Sequence, residues 1–400
     1  MTKNRLWQTS DSKLNLLVEA FTVGDDYIFD LQLLPYDIKA SIAHAEMLHK
    51  IGILDQTELN QAKKGLQEIL KKWKKNEFII EKNQEDGHTA IEQYLTENYG
   101  EVGKKIHTGR SRNDQSLVMI RLFMKEKLLE IQDELNKLIK LFKTKSCKNQ
   151  KIPMPGYTHL QKAMPTTVGI WIDSFSSAFE DFDLILKSTI KIIDQNPLGS
   201  ASGFGIKNLL LDREFTTQKL EFGKIQNNPM YCGLSRGYFE NIVLQTLSQS
   251  MVIASKFAND MLLFTTQEFN FFSLPNEFTT GSSIMPQKRN YDVFEIMRGN
   301  VRVFNSYQNE IQSIVSSIGS GYQRDLQLTK KPFVQGINLC VNTIVLLSEI
   351  IKSLQVNEDN LKKSMTSDLY VTNEVYELVK NGKSFREAYL EIKKKWNKEE

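Results

Sequence analysis

The run Gly281-Ser282-Ser283-Ile284-Met285-Pro286-Gln287-Lys288-Arg289-Asn290 packs two hydroxyls, a cation and a carboxamide behind a small, flexible turn. Those groups suit the removal of a weakly acidic proton beside a carboxylate. A serine alkoxide is a strong enough base when a cationic, donor-rich setting lowers its pKa, and the cation and amide hold the resulting charge. Three further polar segments precede helical stretches or lie among them: Asp86 to Glu92, His107 to Gln115 and Gly156 to Gln161. A helix start presents unpaired N–H groups and a positive dipole end, which favour a bound carboxylate. Ser111, Asn113 or Asp114 alone is explained by helix capping. Four such segments in one chain exceed what capping requires and point to an anion site at the end or crossing of a helical bundle.

The elements that must position these groups are long. Apolar residues recur at helical spacing from about Asp114 to Lys143 (Leu117, Ile120, Leu128, Ile131, Leu135, Leu138, Phe142), with no Gly or Pro between. At ~1.5 Å per residue that helix runs roughly 45 Å, a length that suits a bundle. A second helix is expected to begin at Pro165 and run through Phe175, Phe182 and Leu186. A third is expected over Tyr238 to Phe264, a fourth over Asp292 to Val315 and a fifth from Pro332 to Leu354. Shorter helices are read at Pro35 to Lys50 and Thr57 to Lys72, with Phe78-Ile79-Ile80 as a short extended piece. The pattern predicts an all-α fold: an N-terminal helical domain (1–105), a central long-helix bundle (106–355) and a short C-terminal helical domain (356–400). The third and fourth helices carry apolar residues on several faces, which self-association through the bundle would cover.

Composition narrows the class. Charged residues make up 25% and nearly cancel, leaving a net +3, so no strong field directs the chain to nucleic acid or membrane. The clusters Lys71-Lys72-Trp73-Lys74-Lys75 and Lys393-Lys394-Lys395 read as solvated helix faces. Cys147, Cys232 and Cys340 are odd in number and form no CxxC pair, which fits a reducing cytoplasm. The N-terminus shows no apolar leader, and no apolar run approaches the ~18 residues of a membrane span. The five histidines form no metal pattern, and His44 and His49 lie five apart, off a common helix face. No cofactor or metal is expected, because proton removal beside a carboxylate can run on side chains alone, and neither a metal cluster nor a nucleotide fingerprint shows in the sequence.

The four segments, in this order and with this content, resemble the argininosuccinate lyase branch of the fumarase/aspartase superfamily, from about Phe21 to Lys330 and more weakly beyond. Thr108-Gly109-Arg110-Ser111-Arg112-Asn113-Asp114-Gln115 is the most branch-specific. The resemblance implies β-elimination of argininosuccinate to arginine and fumarate by a cytoplasmic homotetramer whose active sites each collect residues from three subunits. It implies Ser282 as base, Lys288 as the cation on the aci-carboxylate, and His159, paired with Glu295, as acid or relay. It implies substrate binding by His88, Arg112, Asn113, Thr158, Arg236, Asn290, Tyr322, Gln327 and Lys330. The chain departs from the pattern at Tyr291, where Pro is common, and at Ile91, where Asn is common. A substrate-binding serine is missing from Phe21-Thr22-Val23-Gly24, which leaves the Gly24 N–H as its substitute. The alternatives are another superfamily lyase, such as one acting on adenylosuccinate, and an inactive crystallin-like homologue.

Overall fold

A computed structural model describes residues 15–399. The first fourteen residues, on which the absence of a leader is read, lie outside the described residues. The fold is all-α with a few short strands. Helices α1 (Leu16–Val23), α2 (Asp26–Lys50), α3 (Gln56–Lys74), α4 (Gly87–Tyr99) and α5 (Glu101–Lys105) come first. The long helix α6 (Arg112–Lys148) leads into a hairpin of β1 (Pro153–Thr158) and β2 (Gln161–Thr167). Then follow α7 (Val168–Ile193), α8 (Arg213–Lys219), α9 (Pro229–Phe264), α10 (Asp292–Ser316) and α11 (Lys330–Ser353). The chain closes with α12 (Glu358–Lys363), α13 (Val371–Lys380) and α14 (Phe385–Glu399).

The five long helices are present, but three starts are corrected. Helix α9 begins at Pro229 rather than Tyr238, with a kink at Arg236 and Gly237 just before the expected start. Pro165 does not open a helix: it pairs with Pro155 inside the β1–β2 hairpin, and α7 starts at Val168. The Gly156–Gln161 segment is therefore largely strand, with His159 and Leu160 at its two-residue tip. Pro35 sits inside α2, which begins nine residues earlier, at Asp26. Phe78 to Ile80 forms no strand, although Phe78 and Ile80 are buried. The stretch Arg324–Ser353 is apolar enough by composition to cross a membrane, but 56% of that window is buried inside the protein, as in the core helix of a bundle.

The chain divides into two compact units, each gathered from three separated stretches. One holds the described residues up to Gln132 with Leu184–Gln249 and Val303–Val341. Its N-terminal core packs Leu34, Ile38 and Leu48 of α2 with Leu59, Leu66 and Ile69 of α3 and Ile91 and Leu95 of α4. Each such side chain stabilises the fold by about 1.5–3 kcal/mol. A capping box of Asp55 and Glu58 starts α3. Gly65 then lets α4 approach, since a Cβ there would stand 2.5 Å from Leu95 Cδ2.

The other unit holds Asp133–Asp183, Ser250–Arg302 and the residues from Asn342 onward. Its core is aromatic. Phe142 of α6 meets Phe179 of α7 and Phe257 of α9, each at 5.8 Å between ring centroids. Trp171 stacks on Phe272 at 4.8 Å and donates its Nε1–H to Asp260 Oδ2 at 2.8 Å. That bond leaves the half-buried indole with no unpaired polar atom.

Candidate active site

In the first unit, side chains from five places surround a cavity of about 200 Å³. Helix α2 supplies acids on one face: Asp26, Asp30 and Asp37 are four and seven residues apart, so they stack along the helix. Lys330, at the start of α11, lies between two of them, with Nζ 2.8 Å from Asp26 Oδ2 and 2.6 Å from Asp30 Oδ1. Burial opposes the lysine's charge, but Asp30 and Asp26 hold its pKa above the ordinary value. Burial would also raise Asp30, yet Lys330 and His88 hold it below the usual carboxylate range. Asp26 goes the other way, pushed up to about 6 by burial against the pull of Lys330.

Helix α4 starts at the cavity. Asp86 caps it, accepting from the N–H and hydroxyl of Thr89, both at 2.8 Å. The Gly87 N–H donates to Asp30 Oδ2 at 2.9 Å, tying the helix start to α2. His88 follows, buried, with Nδ1 2.6 Å from Asp37 Oδ2. Burial opposes the imidazolium, but Asp37, Asp86 and Asp30 outweigh it and the pKa lies above the ordinary histidine value. Its other nitrogen, Nε2, is buried with no protein partner. A cavity-lining histidine whose surroundings favour its protonated form and whose Nε2 has no protein partner is suited to receive an anionic oxygen. Behind the pair, the Ser41 hydroxyl donates to Asp37 Oδ1 at 3.3 Å and Arg110 Nη1 donates to Ser41 at 2.8 Å.

The first turn of α6 adds Arg112, Asn113 and Ser116. Arg112 is fixed by Glu85 Oε2 at 2.9 Å and Thr89 Oγ1 at 3.0 Å. Arg236 enters from a kink in α9, where it and Gly237 leave helical geometry. Gly237 has φ +73°, and a Cβ there would stand 2.5 Å from Val315 Cγ1, so the kink requires glycine. Arg236 Nη1 then donates to Ser116 Oγ at 2.9 Å. Tyr322, Arg324 and Gln327 close the cavity from the segment before α11. Gln327 donates to the carbonyls of Thr22 and Val23 at 3.2 and 3.1 Å, pinning the end of α1 there. The Gly24 N–H is not the substitute expected for the missing serine. It donates to Ala20 O at 3.3 Å, closing α1.

Seven of the thirteen expected site residues therefore meet in one place: His88, Arg112, Asn113, Arg236, Tyr322, Gln327 and Lys330. Sequence reading missed Asp26, Asp30, Asp37 and Ser116. The acid spacing on α2 was a usable signal, but starting that helix at Pro35 cut off its first two acids.

The remaining six lie in the second unit. Thr158, His159 and the exposed tip of the β1–β2 hairpin stand together, with His159 at φ +53° and Leu160 at φ +59°. Ser282 begins an exposed loop whose ends are joined by backbone pairing of Thr280 with Asn290. The Ser282 oxygen accepts N–H bonds from Ile284 at 3.3 Å and Met285 at 3.1 Å. Two donors on that oxygen favour its alkoxide. Lys288 is exposed on the same loop, and Glu295 is exposed in the first turn of α10. Among the described residues no hydrogen bond or ion pair joins His159 to Glu295, and no group of acids, histidines or cysteines forms a metal cluster.

Comparison with known proteins places this geometry. A lyase family model matches residues 13–304. Argininosuccinate lyase of Thermotoga neapolitana is 41% identical over 382 residues, covering 96% of both chains. That of Stenotrophomonas maltophilia is 40% identical, covering 96% of this chain and 89% of the relative. This chain belongs to the argininosuccinate lyase family. It is thus a carbon–nitrogen lyase of the fumarase/aspartase superfamily. Among solved structures, an EDDS lyase in complex with formate superimposes with a TM-score of 0.79 at 22% identity, covering 92% of this chain and 74% of that one. A class II fumarase from Schistosoma mansoni follows at 0.76 and 16%, covering 94% and 91%. At those identities the likeness concerns the fold, and it agrees with the all-α bundle expected of the family.

Proposed function

We propose that this lyase cleaves argininosuccinate to arginine and fumarate, as the final step of arginine synthesis in the cytoplasm. The observation that carries the reading is the convergence, in a chain about 40% identical to argininosuccinate lyases, of Arg112, Arg236, Lys330 and a partnerless His88 Nε2 around one cavity. Such a wall suits a substrate bearing several carboxylates.

In this reading Ser282 removes the proton from the carbon beside a succinyl carboxylate. The N–H groups of Ile284 and Met285 hold the alkoxide beforehand. Lys288 and Asn290 hold the aci-carboxylate that forms. The C–N bond then breaks, the electron pair leaves on the guanidino nitrogen, and His159 supplies or relays the proton that nitrogen needs, oriented by Glu295. Thr158 binds a carboxylate. Four of these six residues are exposed on the single chain and Ser282 and Asn290 are half-buried, which favours a homotetramer in which each site gathers segments from three subunits.

The test is fumarate release, followed by ultraviolet absorbance, with argininosuccinate and adenylosuccinate offered separately. Release from argininosuccinate alone is expected. Release from adenylosuccinate alone would overturn the substrate assignment, and silence with both from folded protein would return the chain to a structural role. Ser282→Ala is expected to abolish turnover while circular dichroism and oligomer mass stay unchanged; near-normal turnover would remove Ser282 as base.

A further inference from the structure

The hairpin that carries His159 is built in an unusual way for its sequence. Its loop has two residues, and both stand at positive φ, the signature of a type I′ turn. Asn and Gly favour that turn because they tolerate left-handed backbone, whereas here histidine and leucine occupy it. Left-handed L residues persist only where neighbouring contacts hold them. Leu160 is itself largely exposed, so its side chain does not supply that hold.

The cross-strand pair below the turn is anchored where Leu160 is not. Thr158 pairs with Gln161, and one position further down Tyr157 pairs with Lys162. Each member of that second pair is anchored to a different part of the unit. The Tyr157 ring packs on Phe264 at 6.0 Å and Phe269 at 5.7 Å, at and just beyond the end of α9. The Lys162 ammonium donates to the Ser364 carbonyl at 2.8 Å and the Thr366 hydroxyl at 3.0 Å, in the turn after α12. That turn is seated by Leu361 and Leu369, both buried. One strand is thus fastened to α9 and the other to the C-terminal segment, directly beneath the residue proposed to handle the leaving-group proton.

We propose that Lys162 is a positioning residue: by clasping Ser364 and Thr366 it holds the His159–Leu160 turn in its left-handed form and so sets where the imidazole reaches. The C-terminal segment, which the proposed chemistry does not otherwise use, acquires a role in that step. This inference rests on His159 acting as acid or relay.

The experiment compares Lys162→Met, Lys162→Arg, Thr366→Val and His159→Gln in the full-length protein with argininosuccinate. Lys162→Met keeps the aliphatic stem and removes the donor; Thr366→Val removes an acceptor without touching the hairpin. Lys162→Met is expected to lower kcat by about 10- to 100-fold with KM within about twofold, as a displaced catalytic group does. Thr366→Val should shift kcat in the same direction by less, and Lys162→Arg should restore most of it. Adding Lys162→Met to His159→Gln should cause no further loss. Wild-type kcat in Lys162→Met, or an equal loss whether or not His159 is present, overturns the clasp. Full turnover in His159→Gln removes the role of His159 and the clasp with it. The two failures are distinct, because in the first His159→Gln is impaired. Unchanged thermal melting of Lys162→Met separates displacement from unfolding.

Discussion

Asp37→Asn isolates the electrostatic core of the cavity. Asp37 lies 2.6 Å from His88 Nδ1 and is the largest influence raising the histidine's pKa against burial. Asparagine keeps the shape, and its carbonyl still accepts from Nδ1–H. The charge is gone, so the largest pull against burial is lost and the His88 pKa falls toward the neutral ring. Neutral histidine with its proton on Nδ1 leaves Nε2 bare, and a bare nitrogen repels the carboxylate that the imidazolium N–H would bind. A hydrogen bond to a charged group contributes about 1.5–3 kcal/mol. At ~1.4 kcal/mol per tenfold, KM for argininosuccinate should rise roughly 10- to 100-fold. The assay is initial-rate fumarate absorbance between about pH 6 and pH 9, with the His88 ring titrated by NMR. The linkage has a definite sign. A histidine whose folded pKa is raised stabilises the fold fully below about pH 6.5, and that stability is lost as pH rises through the folded pKa. The stability gap between wild type and Asp37→Asn should therefore be widest in acid and narrow toward alkaline pH. An unshifted His88 titration, or an unchanged KM, refutes the reasoning.

Lys330→Met leaves Asp26 and Asp30 facing each other without their shared cation, and losing one partner of a buried pair costs about 3–5 kcal/mol, so the unfolding free energy from a urea titration should fall by that amount. His44 is buried against the Thr108 carbonyl, and burial first, then Arg110, holds its pKa well below the usual value. A depressed histidine gives stability that is present above about pH 6.5 and lost below it, at ~1.4 kcal/mol per pH unit. Asp26 and Asp114, raised to about 6 mainly by burial, work in the opposite sense as pH falls from there toward the ordinary carboxylate range. His44→Gln keeps a donor to Thr108 and removes the titration, so its melting temperature should drop less than wild type between about pH 8 and pH 5; an identical drop would exclude His44 from the acid response.

The long helices were legible in the sequence because their signal is local. Leu128, Ile131, Leu135, Leu138 and Phe142 recur at helical spacing, and all five are fully buried. The polar segments stood out in the sequence for a related reason, since hydroxyls, cations and amides clustered within ten residues are visible however the rest of the chain folds. What misled was proline. Pro165 and Pro35 favour a helix start locally, yet tertiary context placed one in a strand and the other within a helix. The assembly of the cavity was also beyond the sequence. Asp26, Asp37, His88, Arg112, Arg236 and Lys330 span some three hundred positions, and only packing brings them within hydrogen-bonding reach of one another's neighbours. The raised pKa of His88 is likewise a tertiary property, because it depends on a carboxylate fifty-one residues away. Residue types determine which reactions are open to this chain, whereas burial and distance determine which protons its groups hold.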